Sequence, residues 1–229
     1  MTIDSASQHP DAWQTAVKRI APQIVRIRTQ ESSGTGFLVA RMKTGPRCGL
    51  ATAAHVVEHA SREAGTITLV HEGSGRPLEL TAGKRRLQLD SGADTAALVF
   101  ENETFELPAD LVPLIPAEKF LMPGAAVGWL GYPDVWPEQL CFFGGRVSCY
   151  SESEHAYLLD GVSIDGLSGG PVFHLAPDGE PVIIGVLSEY ISNRTPRGPL
   201  PGLSMARDVY RFHAMADQFR SWDEKPPKG

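Results

Sequence analysis

The sequence has no apolar run approaching the ~20 residues needed to cross a bilayer. Its N-terminus, Met1-Thr2-Ile3-Asp4-Ser5, has no basic segment followed by an apolar one. Neither a membrane span nor a secretory leader is therefore expected. An excess of positive charge is also missing. With 21 Lys and Arg against 27 Asp and Glu, the formal charge is −6, which gives no reason to expect a nucleic-acid partner. Only Lys84-Arg85-Arg86 forms a basic run, and a solvated surface is the simplest account of it. Cysteine is scarce: Cys48, Cys141 and Cys149 form an odd set without metal-ligand spacing. Free thiols in a reducing, cytoplasmic setting are expected, although Cys141 and Cys149 could meet across a hairpin. In that setting the triplets Asn102-Glu103-Thr104 and Asn193-Arg194-Thr195 carry no glycosylation argument.

What is present is a chain of 229 residues, 42% hydrophobic, long enough to bury one core or two small ones sharing an interface. After a tail to Pro10, Trp13, Val17 and Ile20 recur at helical spacing behind Asp11, which stands three before Gln14 as in a capping box. From Ile24 the pattern turns to β. Strands are expected around Val25–Ile27, Gly36–Ala40, Cys48–Ala54, Thr66–Val70, Arg86–Leu89 and Ala96–Phe100, separated by short turns. A proline-rich stretch from Ala109 to Glu118 reads as the link between halves. Further strands are expected at Ala125–Leu130, Leu140–Val147 and Ala156–Leu159, and at Pro171–His174 and Pro181–Ser188 about an Asp178-Gly179 turn. Pro196–Gly202 reads as a loop, and Ser204 as the cap of a last helix carrying Val209, Phe212, Ala216 and Phe219. Short, regularly punctuated strands indicate an all-β sandwich or barrel.

Three stretches carry chemistry. In Gly166-Leu167-Ser168-Gly169-Gly170-Pro171 a serine is hemmed in by glycines, as a nucleophile requires when neighbouring N–H groups must face the oxygen it attacks. A hydroxyl is a poor nucleophile unless an imidazole takes its proton, and His55 at the end of an apolar strand is the candidate base. Asp94 stands directly before an apolar strand, where a carboxylate is costly to bury unless something such as an imidazole N–H pairs with it. Each stretch alone reads as a turn or strand end. Together they fit one mechanism.

Gly166-Leu167-Ser168-Gly169-Gly170-Pro171, Thr52-Ala53-Ala54-His55 and Asp94-Thr95-Ala96-Ala97-Leu98 resemble the nucleophile, histidine and aspartate motifs of the trypsin-like serine proteases of the chymotrypsin fold. Ala21-Pro22-Gln23-Ile24-Val25 leading to Gly34-Thr35-Gly36-Phe37 is similar to the opening of bacterial HtrA-type protease domains. The resemblance implies two six-stranded antiparallel β-barrels with short N- and C-terminal helices. Residues 1–20 would be the tail and first helix, 21–110 the first barrel with His55 and Asp94, and 111–229 the second with Ser168 and the last helix. It implies a serine endopeptidase working through an acyl-enzyme, with the N–H groups of Gly166 and Ser168 as oxyanion hole. The strand Gly185-Val186-Leu187-Ser188 would pair with substrate backbone. Val162 would lie at the floor of the specificity pocket and Tyr190 near its entrance. An uncharged floor favours cleavage after small or aliphatic residues, while Glu189 nearby could still draw a basic one.

The departures are informative. Val56 stands where secreted relatives have a cysteine, leaving Cys48 without that partner. Leu167 stands where zymogen-type members have the aspartate that receives a newly cut N-terminus, so activation by that ion pair is not expected and what organises the oxyanion loop is left open. No PDZ-like segment is expected before Gly229. Two alternatives stand beside the peptidase: an inactive protease fold kept as a binding module, and a zinc site at His55-Val56-Val57-Glu58-His59, which has the H-x-x-E-H order. No cofactor or metal is implied. The expected partner is a protein or peptide substrate, with neither nucleic acid nor membrane, and regulation by a partner protein or by self-association is compatible with the reading.

Overall fold

The computed structural model describes residues 11–74, 76–195 and 198–224, with backbone alone at 72, 190–195 and 198–202. The chain opens with α1 (Ala12–Ile20), continued by a 3-10 turn over Ala21–Gln23. Asp11 makes no side-chain cap; Thr15 N–H bonds its backbone carbonyl instead. Then come β1 (Ile24–Arg28), β2 (Ser33–Arg41), β3 (Arg47–Thr52), α2 (Ala54–Arg62), β4 (Ile67–His71), β5 (Pro77–Leu80), β6 (Arg85–Asp90) and β7 (Thr95–Glu101). The second half holds β8 (Ala126–Gly131), β9 (Cys141–Ser151), β10 (Ala156–Asp160), β11 (Pro171–Leu175), β12 (Pro181–Thr195), β13 (Gly198–Asp208) and α3 (His213–Glu224). The chain is all-β apart from α2 and the short helices at its two ends.

The second half closes into a six-stranded barrel in the order β10-β13-β12-β11-β8-β9. The first half does not close, which corrects the expectation of two six-stranded barrels. It is a seven-stranded sheet in the order β5-β4-β1-β2-β3-β7-β6. The extra strand is β5, which the sequence pattern did not single out, because four residues beginning with proline give too short an alternation. Between the two edges, β5 and β6, the chain makes a 3-10 turn over Ala82–Lys84. The Arg85 guanidinium donates to the carbonyls of Leu80 and Ala60 there. A side chain thus spans the seam where a backbone ladder would have closed the barrel.

Two more expectations change. The described part of the Pro196–Gly202 stretch, from residue 198, belongs to β13, which forms a long hairpin with β12; Pro196 lies outside the described residues. Ser204 caps no helix. It is buried in β13, its hydroxyl donating to the Gly161 carbonyl at 2.8 Å, and α3 starts only at His213. Cys141 and Cys149 share the single strand β9, eight residues or about 26 Å apart, far beyond disulfide reach. All three cysteines are free, and burial pushes the Cys48 thiol up to about 11.

The core has three parts. One fills the first sheet, around Val25, Leu38, Leu50, Val56 and Leu98. Another fills the barrel, around Trp129, Tyr157, Leu159, Leu167 and Ile184. The third lies between the halves, where Phe37 and Phe173 meet Ile20 of α1 and Phe219 of α3. That shared core fixes the two halves against each other and so sets the geometry of anything built across their junction. No described helix is long and apolar enough to cross a membrane.

Candidate active site

His55 is the second residue of α2. The helix starts after Ala53, which has extended backbone and no side chain able to cap, so an N–H of the first turn needs an acceptor from elsewhere. Asp94 supplies it. It ends the turn between β6 and β7, at φ +46, a left-handed conformation that aspartate tolerates better than most residues. From there Asp94 Oδ1 accepts the His55 backbone N–H at 3.0 Å, and both carboxylate oxygens lie 3.0 Å from His55 Nδ1. A carboxylate at a helix N-terminus is further favoured by the helix dipole. One residue therefore caps the helix and orients the imidazole, with Nδ1–H donating and Nε2 left for chemistry.

The environment tunes both groups. The hydrogen bond that His55 donates to Asp94 raises the His55 pKa above its ordinary 6.5; burial opposes this, and the negative charges of Asp94, Glu189 and Glu58 add to the rise. Burial alone would push Asp94 upward. Hydrogen bonds from His55 and Ser188, with the charge of His55, outweigh it and hold the carboxyl below its ordinary 3.8. The Ser188 hydroxyl, 1% exposed, donates to Asp94 Oδ2 at 2.5 Å. Sequence reasoning placed Ser188 on the substrate-pairing strand and missed this contact across the junction, which nothing in the local pattern signals.

Ser168 comes from the second half, in the loop between β10 and β11. Its Oγ donates to the Ser188 carbonyl at 3.2 Å. Ser188 thus touches both Asp94 through its hydroxyl and Ser168 through its carbonyl. Among the described residues no hydrogen bond joins Ser168 to His55; catalytic hydrogen bonds are often loose until substrate is bound.

The backbone around Ser168 is held on nearly every side. Leu167 N–H bonds the Ile164 carbonyl at 3.2 Å, closing a turn in which Gly166 has φ +90, the left-handed value that the third residue of a type II turn requires. Asp165 O accepts Asp134 N–H at 2.8 Å, Leu167 O accepts Gly170 N–H at 3.0 Å, and Ser168 O accepts Thr35 N–H at 2.8 Å. Gly169 N–H goes to Leu187 O at 2.7 Å. Among the described residues, neither the Gly166 N–H nor the Ser168 N–H has an acceptor. Two unpaired N–H groups on either side of one residue in a rigid loop are the equipment for binding an oxyanion.

The neighbouring loop, 132–139, is fastened from the first sheet. The buried Arg26 guanidinium holds Glu138 at 2.8 and 2.9 Å, Arg28 adds a bond of 2.9 Å, and Ser33 Oγ donates to Asp134 at 2.9 Å. Arg26 and Arg28 together hold the exposed Glu138 carboxyl below its ordinary value.

The remaining candidates are more scattered. Val162 is 55% exposed, and its carbonyl accepts Trp129 Nε1–H at 3.1 Å. Glu189 is exposed and lies 3.9 Å from Arg207. The side chain of Tyr190 lies outside the described residues. The zinc reading is corrected: α2 is only nine residues long, His55 Nδ1 faces Asp94, and Glu58 is taken up by Arg62 at 2.6 Å and Ser91 at 3.0 Å.

A profile described as a trypsin-like peptidase domain matches residues 34–186. No curated protein matches significantly. Among solved structures, Deg5 is 20% identical with a TM-score of 0.64, over 90% of this chain and 93% of that one. A serine endoprotease from Yersinia pestis is 20% identical with a TM-score of 0.65, over 90% of this chain and 66% of that one. Rv3671c from M. tuberculosis H37Rv, in an inactive serine-to-alanine form, is 20% identical with a TM-score of 0.60, over 98% of both chains. At this identity the likeness is one of fold. The cytoplasmic location expected from the unpaired cysteines does not stand, since the fold is shared with proteases that work outside the cytoplasm, and free thiols do not exclude such a setting. With the matched span covering well over half of its length, the chain belongs to the trypsin-like peptidase family.

Proposed function

We propose that this protein is a serine endopeptidase in which Ser168 is the nucleophile, His55 the general base and then acid, and Asp94 the group that orients and stabilises the imidazolium. The observation that carries the reading is the chain of contacts from His55 through Asp94 to Ser188 and on to Ser168, which spans both halves of the molecule. In the reaction Ser168 Oγ turns from the Ser188 carbonyl to His55 Nε2, loses its proton there and attacks the peptide carbonyl. The negative charge on that carbonyl oxygen is received by the N–H groups of Gly166 and Ser168. His55 then protonates the leaving amine, and water repeats the sequence on the acyl-enzyme.

Cleavage is proposed to follow small or aliphatic residues. Val162 offers no charge to a basic side chain, and Glu189 already faces Arg207. Burial of an aliphatic side chain contributes roughly 25 cal/mol per Å².

The test is labelling with a fluorophosphonate probe, with peptide mapping, beside hydrolysis of a peptide library. Ser168 should be labelled, and Ser168→Ala should lose activity by ~10⁴-fold or more. Full activity in purified Ser168→Ala would end the peptidase reading. In the same library a dominant preference for Lys or Arg would overturn the specificity, and Val162→Asp should shift cleavage toward basic residues.

A further inference from the structure

The loop that would bind the oxyanion has a leucine, Leu167, where an ion pair could have anchored it, and that leucine is fully buried in the barrel core. The loop nevertheless has its carbonyls fixed one after another. Those of Asp165, Leu167 and Ser168 are held by backbone N–H groups. The carbonyl of Gly166 is held by a side chain, the hydroxyl of Thr35, at 2.9 Å.

This carbonyl belongs to the peptide unit lying between the two donors, Gly166 N–H and Ser168 N–H. Rotation of that unit would change the angle between them. The Thr35 hydroxyl also accepts Tyr132 N–H at 3.0 Å, so it is fixed from both sides. Thr35 is fully buried, its N–H holds the Ser168 carbonyl, and its own carbonyl accepts the Thr52 hydroxyl at 2.7 Å. One residue of the first sheet thus grips the loop of the second half on both sides of Leu167.

We propose that Thr35 is a positioning residue that keeps the oxyanion hole assembled in the free protein, so that no activating cut or effector is needed to build it. The inference rests on the peptidase reading above and adds to it a device by which the two halves cooperate. Thr35 touches no reacting atom; it acts through the Gly166–Leu167 peptide. Threonine-to-valine replacement keeps the shape and removes both hydrogen bonds, whereas serine keeps the hydroxyl.

The experiment compares wild type, Thr35→Val and Thr35→Ser as purified full chains, with melting temperature as a check on folding. In Thr35→Val kcat should fall ~10- to 100-fold, less than the loss from deleting an oxyanion donor outright, with KM changed by less than about threefold. The acid limb of the pH profile should stay in place, because the His55–Asp94 pair is untouched. Thr35→Ser should recover kcat to within about threefold. An unchanged kcat in folded Thr35→Val, or a serine variant as impaired as valine, would overturn the inference. Should Thr35→Val fail to fold, stopped-flow labelling of wild type by the fluorophosphonate probe decides. Labelling without a lag supports a preassembled hole, and a lag abolished by preincubation with a non-cleavable peptide overturns it. Wild type that folds but neither labels nor hydrolyses would sink the peptidase reading and this inference together. Labelling that Thr35→Val leaves untouched would sink this inference alone.

Discussion

The two halves of the molecule solve the same packing problem differently. The second closes into a six-stranded barrel, while the first remains a seven-stranded sheet whose seam is spanned by the Arg85 side chain. The difference extends to the site. In the first half, His55 and Asp94 are placed by side-chain hydrogen bonds at the start of a helix. In the second, Ser168 is placed by a loop whose carbonyls from Asp165 to Ser168 are all held. Charged groups are thus arranged where side chains can adjust, and backbone donors where they cannot. This division matches the chemistry, since an imidazole must change partners during a reaction whereas an oxyanion site works by staying still.

The largest effect is expected from the first half. Asp94→Asn should lower kcat by ~10⁴-fold with little change in fold, because an amide can present the wrong group to Nδ1 and favour the wrong tautomer. Wild-type kcat/KM should rise with pH as His55 loses its proton, with a midpoint above 6.5; in the variant this midpoint should move down. Stability follows the same pair. The raised pKa of His55 gives stabilisation that is complete below its ordinary 6.5 and lost as pH climbs through the folded value. The lowered pKa of Asp94 gives stabilisation present above its ordinary 3.8 and lost as pH falls through the folded value. The wild type should therefore exceed Asp94→Asn in melting temperature most clearly between about pH 4 and 6.5. A midpoint that does not move would mean that Asp94 does not control the imidazole.

From the second half, Gly169→Ala should lower stability, and activity with it, since the clash falls on Thr35. Gly169 has φ +88, and a Cβ there would lie inside contact distance of Thr35 O and Thr52 Oγ1, both buried in the first half. A cost of about 3 kcal/mol or more is expected, read by denaturant unfolding. A variant as stable as wild type would show that the halves are less tightly joined at this point than the packing implies. The smallest effect should come at the seam: Arg85→Met removes donors from the Leu80 and Ala60 carbonyls and should cost about 1 kcal/mol while leaving kcat/KM unchanged. A large loss of activity would mean that Arg85, which bonds the Ala60 carbonyl in the last turn of α2, reaches His55 through that helix.

His55, Asp94 and Ser168 stand out in the sequence as candidates only as a set, because each stretch alone reads as a turn or strand end while the three together fit one mechanism. The strand alternation was equally legible, since it depends only on which residues avoid water. Thr35 was written in Gly34-Thr35-Gly36-Phe37, yet its hydroxyl could be assigned no task, because both of its hydrogen-bond partners lie about a hundred residues further along the chain. Ser188 was read as part of a strand for the same reason: its bond to Asp94 exists only once the halves have docked. Ser204 misled in the opposite direction, since a serine before an apolar helix pattern looks like a cap until its neighbours are paired with β12. Local pattern and residue chemistry thus determined most of the strands and the candidate reacting groups, whose causes act over a few residues. Tertiary structure alone decided which sheet would close and which polar groups would meet, because both depend on hydrogen bonds between segments distant in sequence.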